Sequence, residues 1–166
     1  MNKSIKDSYI ISNDLGSQSI KTAIYNLRGQ LIVSLNQDSK IISLPEGCMV
    51  YDGQVSFTQV MENIRKIINI SNIDIKRIEC MSFTGMGAGL IGIDKNWLPT
   101  TFFMSPIDNR SRNVLIEIVK KTGNFLRLKS GTDSPAGINY ILWLKRIYPD
   151  IYKKSFKFMP LTHFVQ

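Results

Sequence analysis

The chain has 166 residues, 43% hydrophobic and 20% charged, with a net charge of +8 at pH 7. That length suits about one domain with a real core, and the composition is globular rather than low-complexity or disordered. No apolar run reaches the roughly 18 residues of a membrane span, Met1 to Ser8 does not start a secretory leader, and one histidine, His163, leaves little for a histidine zinc site or a Ser-His-Asp triad.

Tyr9 to Leu15 is an apolar run and Ser19 to Asn26 alternates polar with apolar, so both read as strands of a hairpin. Its turn carries Asp14-Leu15-Gly16-Ser17-Gln18-Ser19. Gly16 lets backbone approach closely, Ser17 and Ser19 offer hydroxyls, and adjacent amides can form an anion-binding nest for a polyphosphate. Asp14 would repel phosphate directly, and its role would be to hold a hydrated magnesium ion against it. An ordinary β-turn uses the same residue types.

Leu27 to Gln30 reads as a turn and Leu31 to Asn36 as a third strand, completing an antiparallel meander. A loop is expected from Leu44-Pro45 to Asp52-Gly53. Ser56-Phe57-Thr58-Gln59 has capping-box form, and Phe57, Val60, Met61, Ile64, Ile67 and Ile68 share one face of a helix from about Phe57 to Ile70. Ile75 to Phe83 reads as a strand, followed by the glycine-rich Thr84 to Gly89. Leu90 to Ile93 and Thr101 to Met104 read as short strands. A helix is expected over Ser111 to Lys121, stopping at Gly123, and another from Ser134-Pro135 to about Ile147, with a last strand at Lys157 to Met159. Hairpins first and alternating helices and strands afterwards make a mixed-sheet α/β domain. Cys48 and Cys80 lie far apart without CxxC spacing, which reads as reduced thiols in a cytoplasm, with Cys80 in the core. The basic residues are scattered, with pairs such as Lys120-Lys121 in expected helices. They fit solvated helix faces better than a nucleic-acid surface.

Gly85-Met86-Gly87-Ala88-Gly89 is not a dinucleotide fingerprint, because a strand and turn follow it rather than a helix. It reads either as an open surface where a polar ligand touches backbone or as a plain bend. Asp108-Asn109-Arg110 precedes a helix. The pair can bind sugar hydroxyls, or can cap the helix and pair with itself.

Taken in order, these pieces resemble the N-terminal domain of the FGGY carbohydrate kinases, the family of xylulokinase, gluconokinase and glycerol kinase. Its DxGTxSxK phosphate motif stands here as Asp14 to Lys21, its SGQMHG-like segment as Thr84 to Gly89, and its WxDxR segment as Pro106 to Arg110. Its TG-turn, LLWLK-like helix and PxIY segment are matched by Ser130-Gly131, Ile141 to Lys145 and Pro149 to Tyr152. The resemblance covers the chain from Tyr9 onward and departs at Met86-Gly87-Ala88, which replaces Gln-Met-His, and at Pro106, which replaces tryptophan.

The resemblance implies an RNase H-like (actin-like ATPase) α/β domain, with the antiparallel three-strand meander in a mixed sheet and helices flanking it. It implies transfer of a phosphoryl group from ATP, with magnesium, to a sugar or polyol hydroxyl. By position, Asp14, Gly16, Ser17, Gln18, Ser19 and Lys21 would face phosphate, with Asp14 reaching the metal through water. Thr84, Gly85, Met86, Gly87, Ala88, Asp108 and Arg110 would face the substrate. The catalytic aspartate and the adenosine site belong, in the family, to a part of the chain that follows this region. No catalytic residue is therefore expected within residues 1–166, which would be inactive alone and partnered by a C-terminal kinase domain. A homodimer is left open, and neither nucleic acid nor membrane is expected as a partner. The alternative is a non-catalytic binding module or truncated pseudokinase remnant, to which the changes at Met86-Gly87-Ala88 point.

Overall fold

The computed structural model of the protein describes residues 8–45, 48–131 and 137–166. In chain order its strands are β1 (Tyr9–Leu15), β2 (Ser19–Asn26), β3 (Leu31–Asp38), β4 (Ile41–Leu44), β5 (Cys48–Tyr51), β6 (Ile78–Gly85), β7 (Ile91–Ile93), β8 (Phe103–Met104) and β9 (Lys157–Met159). The helices are α1 (Gly53–Ser71), α2 (Arg112–Thr122), α3 (Phe125–Ser130), α4 (Ile138–Ile147), α5 (Pro149–Lys154) and α6 (Leu161–Val165). The chain divides into two compact units. One comprises Met1–Lys40, Gln54–Met86 and Val165–Gln166, the other Ile41–Gly53 and Gly87–Phe164.

The first unit is a mixed sheet in the order β3-β2-β1-β6. β1, β2 and β3 pair antiparallel as the expected meander, and β6 joins β1 in parallel. The Leu27–Gln30 turn forms because Asn26 Oδ1 accepts from the amides of Arg28 and Gln30, with Gly29 at φ 78°. Strand alternation buries Ile11, Asn13 and Leu15 from β1 and Ile20, Thr22 and Ile24 from β2. The buried side of α1 supplies Ser56, Gln59, Val60, Asn63, Ile64 and Ile67. Each fully buried isoleucine stabilises by about 1.5–3 kcal/mol.

The second unit pairs β4 with β5 and β5 with β8, all antiparallel, and β7 with β9. Leu90 bridges to Met104 and Ile93 to Pro99. Its core contains Val50, Tyr51, Ile91, Ile93, Phe103, Leu144 and Leu161.

Several expectations change. The loop expected before Asp52 contains the hairpin β4–β5, and β3 runs two residues further than Asn36. α1 starts at Gly53, so Ser56 to Gln59 lies inside the helix and is no capping box. There Thr58 bonds back to Gln54 O (2.9 Å) and Gln59 is buried. Phe57, expected in the core, is 39% exposed. Ile75–Arg77 form a 3-10 turn, begun by Asp74 accepting from Lys76 N–H, and β6 follows it. β8 is shorter than Thr101 to Met104. Arg112–Thr122 is helical and ends at Gly123 with φ 51°. The expected start of α4 at Ser134-Pro135 lies outside the described residues. α3, α5 and α6 had no counterpart in the expected elements, being single helices of five or six residues. Cys80 is exposed on β6, whereas Cys48 is buried. The reason is that β6 lies at the sheet edge, which leaves an edge side chain uncovered.

Candidate functional site

In the first unit the β1–β2 turn and the end of β6 meet. Asp14 is half-buried, opposite Lys21 on β2 and Thr84 on β6. Gly16 N–H donates to Ser19 O (3.0 Å) and closes the turn. A Cβ at Gly16 would stand 2.8 Å from Ser19 O, so only glycine fits. Gly85 pairs with Leu15, and a Cβ there would stand 2.5 Å from Leu15 O. Met86 N–H then donates to Leu15 O at 3.0 Å. The fold therefore brings Asp14, Gly16 and Lys21 beside Thr84, Gly85 and Met86. Ser17 and Ser19 are partly buried in the turn, and Gln18 is exposed.

A polar layer lies under this turn, and the sequence reading missed it. Ser39 donates its hydroxyl to Gly16 O (2.9 Å) and its amide to Gln18 O (2.9 Å). Gln59 Nε2 donates to Asp38 O (2.9 Å), and its Oε1 accepts from Lys40 N–H (3.4 Å). Thr22 donates to Asn13 Oδ1 (3.0 Å), both fully buried. Asn63 Nδ2 reaches Ile20 O at 3.5 Å, and its Oδ1 is buried without a hydrogen-bond partner among the described residues. The available signal was the i, i+4 spacing of Gln59 and Asn63 with Ile67. It places two amides on the buried stripe of α1.

In the second unit Gly87 is exposed and Ala88 takes the left-handed conformation, φ 59°. Gly89 meets the Phe103 ring and Met104 O so closely that no side chain fits. Asp108 caps the 3-10 turn Asn109–Ser111 by accepting from Arg110 N–H (3.0 Å). Its carboxylate, 1% exposed, also takes Arg110 Nε (2.9 Å) and Nη2 (2.6 Å). The two residues thus cap the turn and pair with each other. The carboxylate raises the Arg110 pKa further. The guanidinium stacks over the Trp143 ring at 4.9 Å and lines a cavity of about 380 Å³ with Asp52, Thr101 and Tyr148. Tyr140 donates to Ser105 O (2.7 Å), and burial, helped by the Asp108 charge, pushes its phenol up to about 12.

Among the described residues no three His, Cys, Asp or Glu side chains cluster to hold a metal. A hydrated magnesium ion needs only one or two carboxylates beside phosphate oxygens, so half-buried Asp14 at the turn fits that demand.

The sequence profile of the FGGY family of carbohydrate kinases, N-terminal domain, matches residues 9–166. A xylulose kinase of Bacillus subtilis (strain 168) is 25% identical over 157 residues, covering 91% of this chain and 31% of that protein. An autoinducer-2 kinase of Yersinia pseudotuberculosis serotype O:3 (strain YPIII) is 22% identical, covering 89% of this chain and 29% of that protein. The crystal structure of gluconate kinase from Lactobacillus acidophilus shares the fold with a TM-score of 0.85 at 22% identity, covering 95% of this chain and 32% of that one. The chain thus spans about a third of the length of the relatives it matches.

Proposed function

The chain belongs to the FGGY family of carbohydrate kinases, and from this we propose that it is the N-terminal, phosphate- and sugar-facing domain of an ATP-dependent kinase acting on a sugar or polyol hydroxyl. The observation that carries the reading is a pair of glycines whose backbones are closely approached beside Asp14: a Cβ would stand 2.8 Å from Ser19 O at Gly16 and 2.5 Å from Leu15 O at Gly85.

In this reading the turn Gly16 to Ser19, with Lys21 on the same strand, binds the phosphates of ATP. Asp14 holds magnesium through water. The ion, when bound, neutralises charge developing on the transferred group. Thr84 to Ala88 face the sugar with backbone groups and the Thr84 hydroxyl. Asp108 acts through Arg110, which it holds rigid against Trp143, so the arginine is the member of the pair that would meet substrate. Phosphoryl transfer depends chiefly on such positioning, plus a base that orients the hydroxyl. In this reading the base belongs, as in the family, to a part of the chain that follows this region, so turnover needs a C-terminal kinase domain, and the setting is the cytoplasm. No helix among the described residues is long and apolar enough to cross a membrane. The similarity to a protein named as a xylulose kinase supports a sugar or polyol as the substrate class. Met86-Gly87-Ala88 removes the polar side chains that a xylulokinase-like site uses, which speaks against xylulose itself.

The test is sugar-dependent ADP release by this chain supplied with the C-terminal domain of a relative. Turnover that is lost in Asp14→Ala supports the proposal, and unchanged turnover in that variant overturns the metal role. Persistent absence of turnover favours the non-catalytic binding module, for which the apolar Met86-Gly87-Ala88 segment is the specific observation.

A further inference from the structure

Four carbonyls at the turn between β1 and β2 are taken up by hydrogen bonds within the protein. Leu15 O accepts from Met86 N–H (3.0 Å), Gly16 O from the Ser39 hydroxyl (2.9 Å), Gln18 O from Ser39 N–H (2.9 Å) and Ser19 O from Gly16 N–H (3.0 Å). A carbonyl oxygen carries partial negative charge, so a turn that receives an anion must direct its carbonyls elsewhere. Ser39 alone engages two of these four, one with its side chain and one with its backbone.

Ser39 is itself braced. Its neighbours on both sides are held by one buried side chain, Gln59 of α1, through Asp38 O (2.9 Å) and Lys40 N–H (3.4 Å). Nothing in strand pairing requires this, since β3 ends at Asp38. The result is a rigid connection from the middle of a core helix to the tip of the hairpin. A side chain supported in this way holds its partner to a narrower geometry than a free surface serine would.

We propose that Ser39 is a positioning residue that sets the conformation of the Gly16–Ser19 turn and, through it, the turn's affinity for phosphate, with Gln59 as its support; the affinity half rests on the phosphate reading above. The test uses the 166-residue chain as wild type, Ser39→Ala, Ser39→Thr and Thr58→Ala. The last removes an exposed hydroxyl bond on α1 and serves as a control for losing a hydroxyl bond away from the turn. Two readouts are taken: amide hydrogen exchange at Gly16 and Ser39, and titration with magnesium tripolyphosphate. In Ser39→Ala the two amides exchange faster and affinity falls by about five- to tenfold, the worth of one hydrogen bond. Ser39→Thr restores both and Thr58→Ala alters neither. Unchanged exchange at Gly16, or equal affinity in Ser39→Ala, overturns the inference. A wild-type chain that does not bind tripolyphosphate, with Gly16 exchange still raised in Ser39→Ala, discards the phosphate reading and upholds the conformational role.

Discussion

Single atoms decide the site. Gly85 cannot carry a Cβ, because Leu15 O would stand 2.5 Å from it. Gly85→Ala is therefore expected to cost about 1–3 kcal/mol as β6 is pushed from β1, measured by urea unfolding. Gly87→Ala, in open space, should cost far less and sets the comparison. Tyr140 gives a pH signature. Its folded-state value of about 12 lies above the ordinary 10, so the folded protein keeps a proton that the unfolded chain releases. Its contribution is complete below pH 10 and is lost as pH climbs from 10 to about 12. Tyr140→Phe should lower stability at neutral pH by about 0.5–1.5 kcal/mol, through the lost hydrogen bond to Ser105 O, which keeps its bond from Asp108 N–H, and flatten the alkaline fall between pH 10 and about 12. The tight turn at Gly16 was legible in the sequence because its residues lie next to one another in the chain. That Asp108 spends its carboxylate on Arg110 was open there, since either reading uses the same two residues.

At the scale of elements, α1 shows how a helix face can be misread. The apolar spacing put Phe57 inside, yet the buried stripe is turned toward Gln59 and Asn63, whose amides serve β2 and β3. Ile67→Ala should cost about 2–5 kcal/mol while Phe57→Ala stays within about 1 kcal/mol, and similar losses for both would contradict this orientation. α2 and α4 are tied by exposed Glu117, which accepts from Arg146 (2.7 Å) and Lys121 (2.7 Å). Arg146 first, then Lys121, holds the Glu117 carboxyl down to about 2. The small stability it adds is present above pH 4.5 and disappears as pH falls toward 2, so Glu117→Gln should make the acid limb of thermal unfolding shallower. The hairpin β4–β5 escaped the sequence reading because Ser43-Leu44-Pro45-Glu46-Gly47 carries turn chemistry that outweighs two four-residue strands.

For the molecule as a whole, the fold and family were within reach of the sequence and the assembly of the site was not. Periodicity and turn chemistry act over a few residues, so the meander, the Gly16 turn, the end of α2 at Gly123 and the order of the family's motifs all stood in the primary structure. On the function proposed above, turnover needs a C-terminal kinase domain, so this chain by itself is expected to release no ADP above background. What needed the tertiary structure was every contact that closes over distance in sequence: Gly85 against Leu15, Ser39 against Gly16 across 23 positions, and Gln59 against Asp38 across 21. Those residues look like ordinary loop and helix polar groups until folding removes water from them. From then on each donor and acceptor must find a partner, and the partner it finds determines its role.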